Sequence, residues 1–496
     1  MKAYQELSQR FRRLGLLGDA LAVLNWDTAA MMPDGGAPMR AAQSATLSVL
    51  IHEQVIAPRV GELLAAADAE PLDDWQRANL AEMRRTHVHA TAVPPDLVER
   101  LSVASSECEM AWRAARPAND FAGLRPRLAT VLELTRAQAD AKAAALGCSP
   151  YDALLDQYEP GGRAADIDRL FGELEGFLPA LTQRVLEHQR AHPAPLPLDG
   201  PFDVAAQRAL GLQLMAALGF DFEHGRLDVS HHPFCGGTPD DVRITTRFDL
   251  DDFTSALMGV LHETGHALYE RGLPAAWRNQ PVGAARGMSL HESQSLLVEM
   301  QACRSREFAI FCAPLARAAF GRDGPAWQPD NLHRLSTRVE PGLIRVDADE
   351  VTYPAHVILR YRLERALLGG DLALADLPGA WRDGMQALLG IVPPDDTDGC
   401  LQDIHWPSGA WGYFPTYTLG AMTAAQLFQA ARAALPGLMD DLARGDFSRL
   451  LGWLRAHVHE KGSRFSAAEI VTQATGAPLG VAAFKRHLET RYLEAA

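Results

Sequence analysis

The chain contains the run Leu257-Met258-Gly259-Val260-Leu261-His262-Glu263-Thr264-Gly265-His266-Ala267-Leu268-Tyr269, in which residues 262–266 form the pattern HExxH. Its apolar residues recur at helical spacing, so the run predicts a helix with a buried face. Residues four apart lie about 5–6 Å apart on one face of a helix, which allows His262 and His266 to bind the same Zn²⁺. Glu263 projects one position round, close enough to take a proton from a water molecule that the metal activates. The alternative is a pair of core histidines that hydrogen-bond within the protein.

A catalytic zinc usually takes three protein ligands and a water molecule. The downstream candidates for the third ligand are Glu270, His291, Glu292 and Glu299. Residues 288–300 predict a second helix, and Glu292 lies 26 residues after His266, which leaves room for a turn and an antiparallel return. Glu270 lies too far along the axis of the first helix. We therefore expect Glu292 to be the third ligand, with Glu299, two turns further on, as its main competitor.

Most other segments also predict helix, with one exception just before the HExxH run. Residues 241–248 alternate between apolar and polar side chains and are rich in β-branched residues, which predicts a strand with one buried face. Residues 226–230 are a candidate partner strand, and the glycine-rich residues 235–239 can form a turn. The expected fold is mainly α, with a small β-sheet beside the metal site where an extended peptide can lie. We find no long linker or repeat, so residues 1–496 are expected to form a single catalytic domain.

Composition narrows the function classes. The chain has 496 residues, of which 47% are hydrophobic and 22% charged, as in globular proteins. A formal net charge of −15 disfavours a general nucleic-acid partner. The six cysteines include no CxxC pair, the N-terminus shows no secretory signal, and no apolar run is long enough to span a membrane. These features predict a soluble cytoplasmic protein without a membrane partner.

Several further blocks are spread along the chain. They are His291-Glu292-Ser293-Gln294-Ser295, His232-Pro233-Phe234, Asp241-x-Arg243-x-Thr245, Ile344-Arg345-Val346-Asp347-Ala348-Asp349 and Gly399-x-x-Gln402-Asp403-x-His405-Trp406. Together with HExxH, and with Asn25-Trp26-Asp27 and Met32-Pro33 near the start, they resemble the M32 family of metallocarboxypeptidases, the thermostable carboxypeptidase type. The resemblance implies a helical zincin with a deep central cleft, like neurolysin. It also implies broad release of C-terminal residues, a homodimer, and Zn²⁺ or Co²⁺ as the metal.

A carboxypeptidase must bind a free carboxylate, which arginine does in a bidentate manner. The candidates are Arg243, Arg247 and Arg345, but only four of the 47 basic residues are lysines, so an arginine needs support from its neighbours. Arg345 lies at a predicted loop-to-helix junction, and the resemblance makes it the residue that binds the terminal carboxylate. Arg243 lies on the polar face of the predicted strand, where it could line the cleft or pair with Asp241. The acidic run 347–350 is either a helix N-terminus or a source of hydrogen bonds to a ligand histidine.

Peptide hydrolysis also creates an oxyanion that needs hydrogen-bond donors. His232 precedes the predicted strand, and His405 precedes an aromatic loop that includes Tyr413 and Tyr417. By analogy with related zincin folds, we expect His232, His405 and one of the two tyrosines to contact the substrate carbonyl. The simpler interpretation of the loop is aromatic packing.

These observations predict a zinc-dependent carboxypeptidase that acts on peptides. A neurolysin-like endo-oligopeptidase is the main alternative, and peptides with an amidated C-terminus would separate the two. A non-catalytic, metal-dependent binding protein is a third interpretation, which the intact Glu263 disfavours. The sequence contains neither a GxSxG elbow nor a phosphate-binding loop.

Overall fold

The structure, a computed structural model, describes residues 2–494. The helices that precede the sheet are α1 (Lys2–Ala30), α2 (Ala37–Ile56), α3 (Pro58–Ala67), α4 (Asp74–Thr91), α5 (Pro95–Ala115), α6 (Phe121–Leu146), α7 (Pro150–Leu155), α8 (Ala164–Glu175), α9 (Leu178–Arg190) and α10 (Val204–Leu218). The strands are β1 (Gly225–Val229), β2 (Phe234–Thr238) and β3 (Asp241–Thr246).

Helices also make up most of the chain after the sheet. They are α11 (Phe253–Gly272), α12 (Met288–Leu296), α13 (Arg306–Phe320), α14 (Pro329–Ser336), α15 (Tyr353–Gly369), α16 (Leu377–Leu389), α17 (Pro415–Ala434), α18 (Leu438–Ala443), α19 (Ser448–His457), α20 (Ala467–Thr475) and α21 (Ala482–Glu489). Two segments, Leu297–Cys303 and Thr490–Glu494, form π-helices that continue α12 and α21. The predicted mainly α class with a small sheet is confirmed, while the single domain, the deep cleft and the likeness to neurolysin stay predictions.

The sheet has the strand order β1-β3-β2. Strand β1 pairs with β3 in parallel, and β2 pairs with β3 antiparallel, so that Leu227 and Cys235 both lie opposite Ile244. The strand predicted at 241–248 is therefore confirmed over Asp241–Thr246, and its partner predicted at 226–230 is confirmed as Gly225–Val229. The turn predicted at 235–239 was wrong, because β2 occupies most of that stretch and the chain reverses after Thr238. Glycine is required at Gly237, whose φ is +85°.

Two glycines bring the central helices close together. A Cβ on Gly265 of α11 would lie 2.5 Å from the carbonyl oxygen of Gln294 in α12. A Cβ on Gly420 of α17 would lie 2.8 Å from the side chain of Glu292, also in α12. Helix α12 is thus held between α11 and α17 at separations that larger residues would not permit.

Hydrophobic packing divides into clusters. Residues from α1, α2, α3 and α4 form one cluster, which includes Leu7, Phe11, Val60, Leu64 and Met83. A much larger cluster runs from Val93 to Tyr492 and includes the apolar faces of α11, α12, α15 and α17. A third joins β1 and β3 to α10 and α11, so the sheet lies directly against the HExxH helix. Among residues 2–494, no helix combines the length and the apolar character needed to cross a membrane.

Candidate metal centre

The three predicted ligands come together at one point between α11 and α12. The Nε2 atoms of His262 and His266 lie 3.9 Å and 3.4 Å from the carboxylate oxygens of Glu292. Three donor atoms, one from each of these residues, all lie within 4.8 Å of one another. Two imidazoles and a carboxylate at this separation suit a tetrahedral Zn²⁺ with one open position. The alternative of two unrelated core histidines does not account for the converging carboxylate.

The Nδ1 atom of His262 is engaged on the other side of the ring. It donates to Oε2 of Glu299 at 2.9 Å, and Arg304 donates to the second oxygen of Glu299 at 2.7 Å. Glu299, the predicted competitor for the third ligand position, therefore contacts the ring nitrogen that faces away from Glu292. In the neutral ring, this hydrogen bond leaves the lone pair on Nε2, where a metal would bind. Glu299 lies in the π-helix that continues α12, and such widened turns often occur at functional sites.

His266 is oriented by a relay of two residues. Its Nδ1 lies 2.7 Å from Nδ1 of His291, whose Nε2 donates to Oε1 of Glu270 at 2.8 Å. Because the Glu270 carboxylate can only accept, a neutral His291 must accept at Nδ1, and His266 then donates. The Nε2 of His266 is thereby left free to face Glu292. His291 and Glu270, which the sequence left open as candidate ligands, instead form the relay that orients His266.

The acidic run at 347–350 does not serve the ligand histidines. Oδ1 of Asp349 accepts hydrogen bonds from the backbone of Val351 and Thr352, just before α15. Glu350 is bound by His487, Arg491 and Tyr492. Of the two alternatives that the sequence left open for this run, the helix N-terminus is thus the correct one for Asp349, and no hydrogen bond joins residues 347–350 to a ligand histidine. The residues that hydrogen-bond to the ligand histidines are instead Glu299 and His291, which lie on α12 and the π-helix that continues it.

Charge is concentrated at this centre. Burial raises the pKa of Glu263 to about 7, although the nearby His262 opposes the rise. Burial also lowers the pKa of His266 to about 4. Burial opposes protonation of His262 as well, but the hydrogen bond that its Nδ1 donates to Glu299 and the charges of Glu292 and Glu263 raise its pKa to about 10. A site with three buried carboxylates and a histidine that favours its protonated form is suited to a cation, and a metal would replace that proton.

The predicted site residues on and beside the sheet are less buried than those of the metal centre. His232 is exposed, and its neighbour Pro233 lies 3.7 Å from the position that a Cβ on Gly259 of α11 would take. Arg243 pairs with Asp241 through Nε and Nη2, and its guanidinium stacks 4.3 Å from the ring of Trp26. Arg243 therefore pairs with Asp241, which is one of the two roles that the sequence left open for it. Arg247 is exposed.

Arg345 and the aromatic loop form one cluster. Arg345 is 6% exposed and donates from Nε and Nη2 to Asp403 at 3.2 Å and 2.9 Å. Its guanidinium carbon lies 4.9 Å from the ring of Tyr417, whose hydroxyl lies 3.3 Å from Nε2 of His405. Tyr413 packs edge-to-face on Tyr417 at 5.2 Å. The structure thus brings Arg345, His405, Tyr413 and Tyr417 together.

This cluster adjoins the metal centre. Burial raises the pKa of Tyr417 to about 12, with the charges of Arg345 and Glu292 acting on it in opposite directions. Tyr353, at the start of α15, experiences the same two charges, and burial raises its pKa. Tyr353 was missed from the sequence because a single tyrosine at a helix start carries no distinguishing pattern. Asp403 stood in a quoted block, but nothing in the sequence marked it as the partner of Arg345.

Comparison with known proteins identifies a family of metallopeptidases to which the chain is similar. A family model described as "Carboxypeptidase Taq (M32) metallopeptidase" matches residues 6–492. The chain is 42% identical to "Thermostable carboxypeptidase 1" of Thermus thermophilus, covering 99% of this chain and 98% of that protein. It superposes on "Trypanosoma Cruzi Metallocarboxypeptidase 1" with a TM-score of 0.97 at 42% identity, covering 99% of this chain and all of the other. For an M32 carboxypeptidase from Deinococcus radiodurans the TM-score is 0.95 at 37% identity, with 100% and 99% coverage.

Proposed function

The chain belongs to the M32 family of metallocarboxypeptidases, and from this premise we propose that it removes C-terminal amino acids from peptides with Zn²⁺ as its metal. The observation that carries the proposal is the pairing of two features. One is the histidine, histidine and glutamate cluster around Glu263, and the other is a buried arginine, Arg345, in the adjoining aromatic cluster. The first feature is suited to hydrolysis, and the second selects the end of the peptide.

His262, His266 and Glu292 would hold the metal. The donor set of two nitrogens and one carboxylate favours zinc, and Co²⁺ accepts the same ligands. A cation bound there supplies Lewis acidity, which lowers the pKa of a water molecule and polarises a peptide carbonyl. Glu299 and the His291–Glu270 relay keep both imidazoles in the orientation that ligation requires.

Glu263 is proposed as the general base. Its carboxylate follows His262 directly on α11 and is 7% exposed. Burial raises the pKa of this carboxylate, which suits it to accept a proton from the attacking water and return it to the amine nitrogen of the leaving residue. Burial of the side chain limits competition from bulk water for that proton.

Arg345 is proposed to bind the terminal carboxylate of the substrate. Asp403 occupies Nε and one N–H of Nη2, so the remaining N–H groups on Nη1 and Nη2 are available for a second carboxylate. His405, Tyr413, Tyr417 and, from the sheet side, His232 are proposed to donate to the carbonyl oxygen as it gains charge. Arg243 is proposed to line the substrate cleft while keeping its contact with Asp241.

The finer features follow the family resemblance. We propose a broad side-chain preference, a cytoplasmic location, a homodimer, and one catalytic domain that extends over residues 1–496. Peptides are the proposed partners, and neither nucleic acid nor membrane is included among them.

The test is metal depletion and restoration on a matched pair of peptides. A chelated preparation should lose activity and regain it with Zn²⁺, and mass spectrometry should show stepwise loss of C-terminal residues from the free-acid peptide only. The Glu263→Gln variant should retain metal and lose about 10²–10⁴-fold in rate. Internal cleavage of the amidated peptide would favour the endo-oligopeptidase, and binding without turnover after metal restoration would favour the non-catalytic alternative.

A further inference from the structure

Arg360 on α15 has an unusual environment. It is 1% exposed and lies between two aromatic rings, with its guanidinium carbon 3.9 Å from the ring of Trp406 and 4.2 Å from that of Phe414. It makes one hydrogen bond, from Nη1 to Oδ2 of Asp403 at 3.2 Å. Its Nε and Nη2 are buried, and neither has a hydrogen-bond partner in the part of the chain that the structure describes.

An arginine with this environment costs stability. Contacts with the faces of the two rings offset part of the cost of removing the guanidinium from water. Full compensation also needs paired N–H groups, and two of the three nitrogens of Arg360 have no partner. Replacing buried charges by apolar side chains of similar volume is often neutral or stabilising. A methionine would fill the same space and make favourable contacts with both rings. Packing alone therefore gives no reason for an arginine at this position.

The reason lies in the charge of Asp403. Oδ1 of Asp403 accepts from Nη2 of Arg345 at 2.9 Å, and Oδ2 accepts from Nε of Arg345 and Nη1 of Arg360, both at 3.2 Å. Two guanidiniums thus share one carboxylate, and the set of Arg345, Arg360 and Asp403 carries a net charge of +1. Without Arg360, Arg345 and Asp403 would form a closed, neutral pair.

The surrounding titratable groups leave this charge in place. Burial lowers the pKa of His356 to about 4 and that of His405 to about 3, so both are neutral near pH 7. Glu364 lies one turn after Arg360, but its oxygens accept from Tyr151, Trp406 and the backbone of Gly412. Among residues 2–494, Glu364 forms no ion pair with Arg360, so it offsets the charge only at a distance.

We propose that Arg360 is a positioning residue for carboxylate recognition, which acts by sharing Asp403 so that Arg345 keeps a positive charge for the substrate's C-terminal carboxylate. This inference rests on the function proposed above. It explains why a costly buried arginine lies behind the residue that binds the carboxylate.

The test is the Arg360→Met variant, assayed with an N-acylated free-acid peptide as substrate and with its amide as an inhibitor. Loss of one charge near the carboxylate should raise KM for the free acid about tenfold, with kcat and the Ki of the amide changed less than about twofold. The thermal midpoint should be equal to that of the wild type or higher. Arg360→Lys, which keeps the charge, should recover most of the affinity.

Arg362→Met is the matched control, because Arg362 lies on the same helix, is exposed and pairs with Glu175. It should change neither KM nor Ki. A normal KM in Arg360→Met would overturn the inference. So would a misfolded or less stable variant, or equal losses of affinity for acid and amide, because each indicates a structural role. If the wild-type protein does not distinguish acid from amide, it is the proposed carboxypeptidase function that fails.

Discussion

The two glutamates of the continuous α12 and π-helix segment are predicted to affect metal binding in different ways. Glu292 faces the Nε2 atoms of both histidines, whereas Glu299 contacts only Nδ1 of His262. Replacement of Glu292 by glutamine should therefore remove a ligand and its charge. Replacement of Glu299 by glutamine should keep all three ligands and weaken only the orientation of one ring.

The expected magnitudes differ accordingly. Loss of a partner that orients a ligand histidine typically lowers metal affinity about 10–100-fold, which corresponds to about 1.4–2.7 kcal/mol. Glu299→Gln also leaves Arg304 without its carboxylate partner, so a value near the upper end is expected. Glu292→Gln should lose more, because a site with two histidines remains and the buried negative charge that attracts the cation falls by one.

The assay is metal content after dialysis, combined with competition against a chelator of known affinity. Glu299→Gln should retain one Zn²⁺ per chain at micromolar free metal and lose it to the competitor sooner than the wild type. Glu292→Gln should not retain stoichiometric Zn²⁺ under the same conditions. Glu263→Gln serves as the matched control, since it alters a neighbouring buried carboxylate and should leave metal content unchanged. The reverse result, with stoichiometric metal in Glu292→Gln and none in Glu299→Gln, would exchange the roles assigned to the two residues.

Three further predictions concern single side chains. Tyr417→Phe removes the hydroxyl next to His405 but keeps the ring on Arg345, so kcat should fall about 10–10²-fold at unchanged metal content, and a normal kcat would contradict the proposed role. Burial lowers the pKa of Lys142 to about 8, so Lys142→Met should stabilise the protein at pH 7 by up to about 3 kcal/mol. That gain, measured by denaturant unfolding, should shrink as the pH rises from 8 to 10.5, and a gain that does not depend on pH would rule out this cause. Despite its burial, Glu350 has a pKa of about 2 because of its cationic neighbours, and it therefore contributes stability above pH 4.5 that is lost as the pH falls towards 2. Glu350→Gln should be less stable at pH 7 and show a flatter loss of stability in acid, which thermal midpoints across this range would reveal.

Local patterns were sufficient to predict the elements that carry the metal ligands. The HExxH run forms α11, residues 241–246 form a strand beside it, and Glu292 lies on the predicted second helix. Each of these predictions depended on a periodicity or a spacing within a short stretch. The one local error, at residues 235–239, arose because a glycine-rich stretch suggests a turn even when its backbone pairs with a strand.

The surroundings of the ligands depend on contacts between distant parts of the chain. Glu299 is 37 residues from His262, and Asp403 is 58 residues from Arg345. The proximity of Glu299 to His262 follows from how closely α12 approaches α11, which at Gly265 is set by the absence of a side chain. Periodicity gives no information on such distances. The π-helical turn that carries Glu299 was likewise missed, because its apolar pattern is also compatible with a regular α-helix.

The spacing of Glu292 and Glu299 makes the metal centre sensitive to the register of the helices. Seven residues correspond to about two helical turns, so one continuous helix reaches both ring nitrogens of His262. A one-residue insertion or deletion between the two glutamates would rotate every later side chain by about 100° and move Glu299 away from Nδ1. A slip of α12 along α11 would displace both glutamates together. A shift of one residue between the two glutamates should therefore weaken metal binding about as much as Glu299→Gln does, whereas a slip of α12, which also displaces the ligand Glu292, should abolish it.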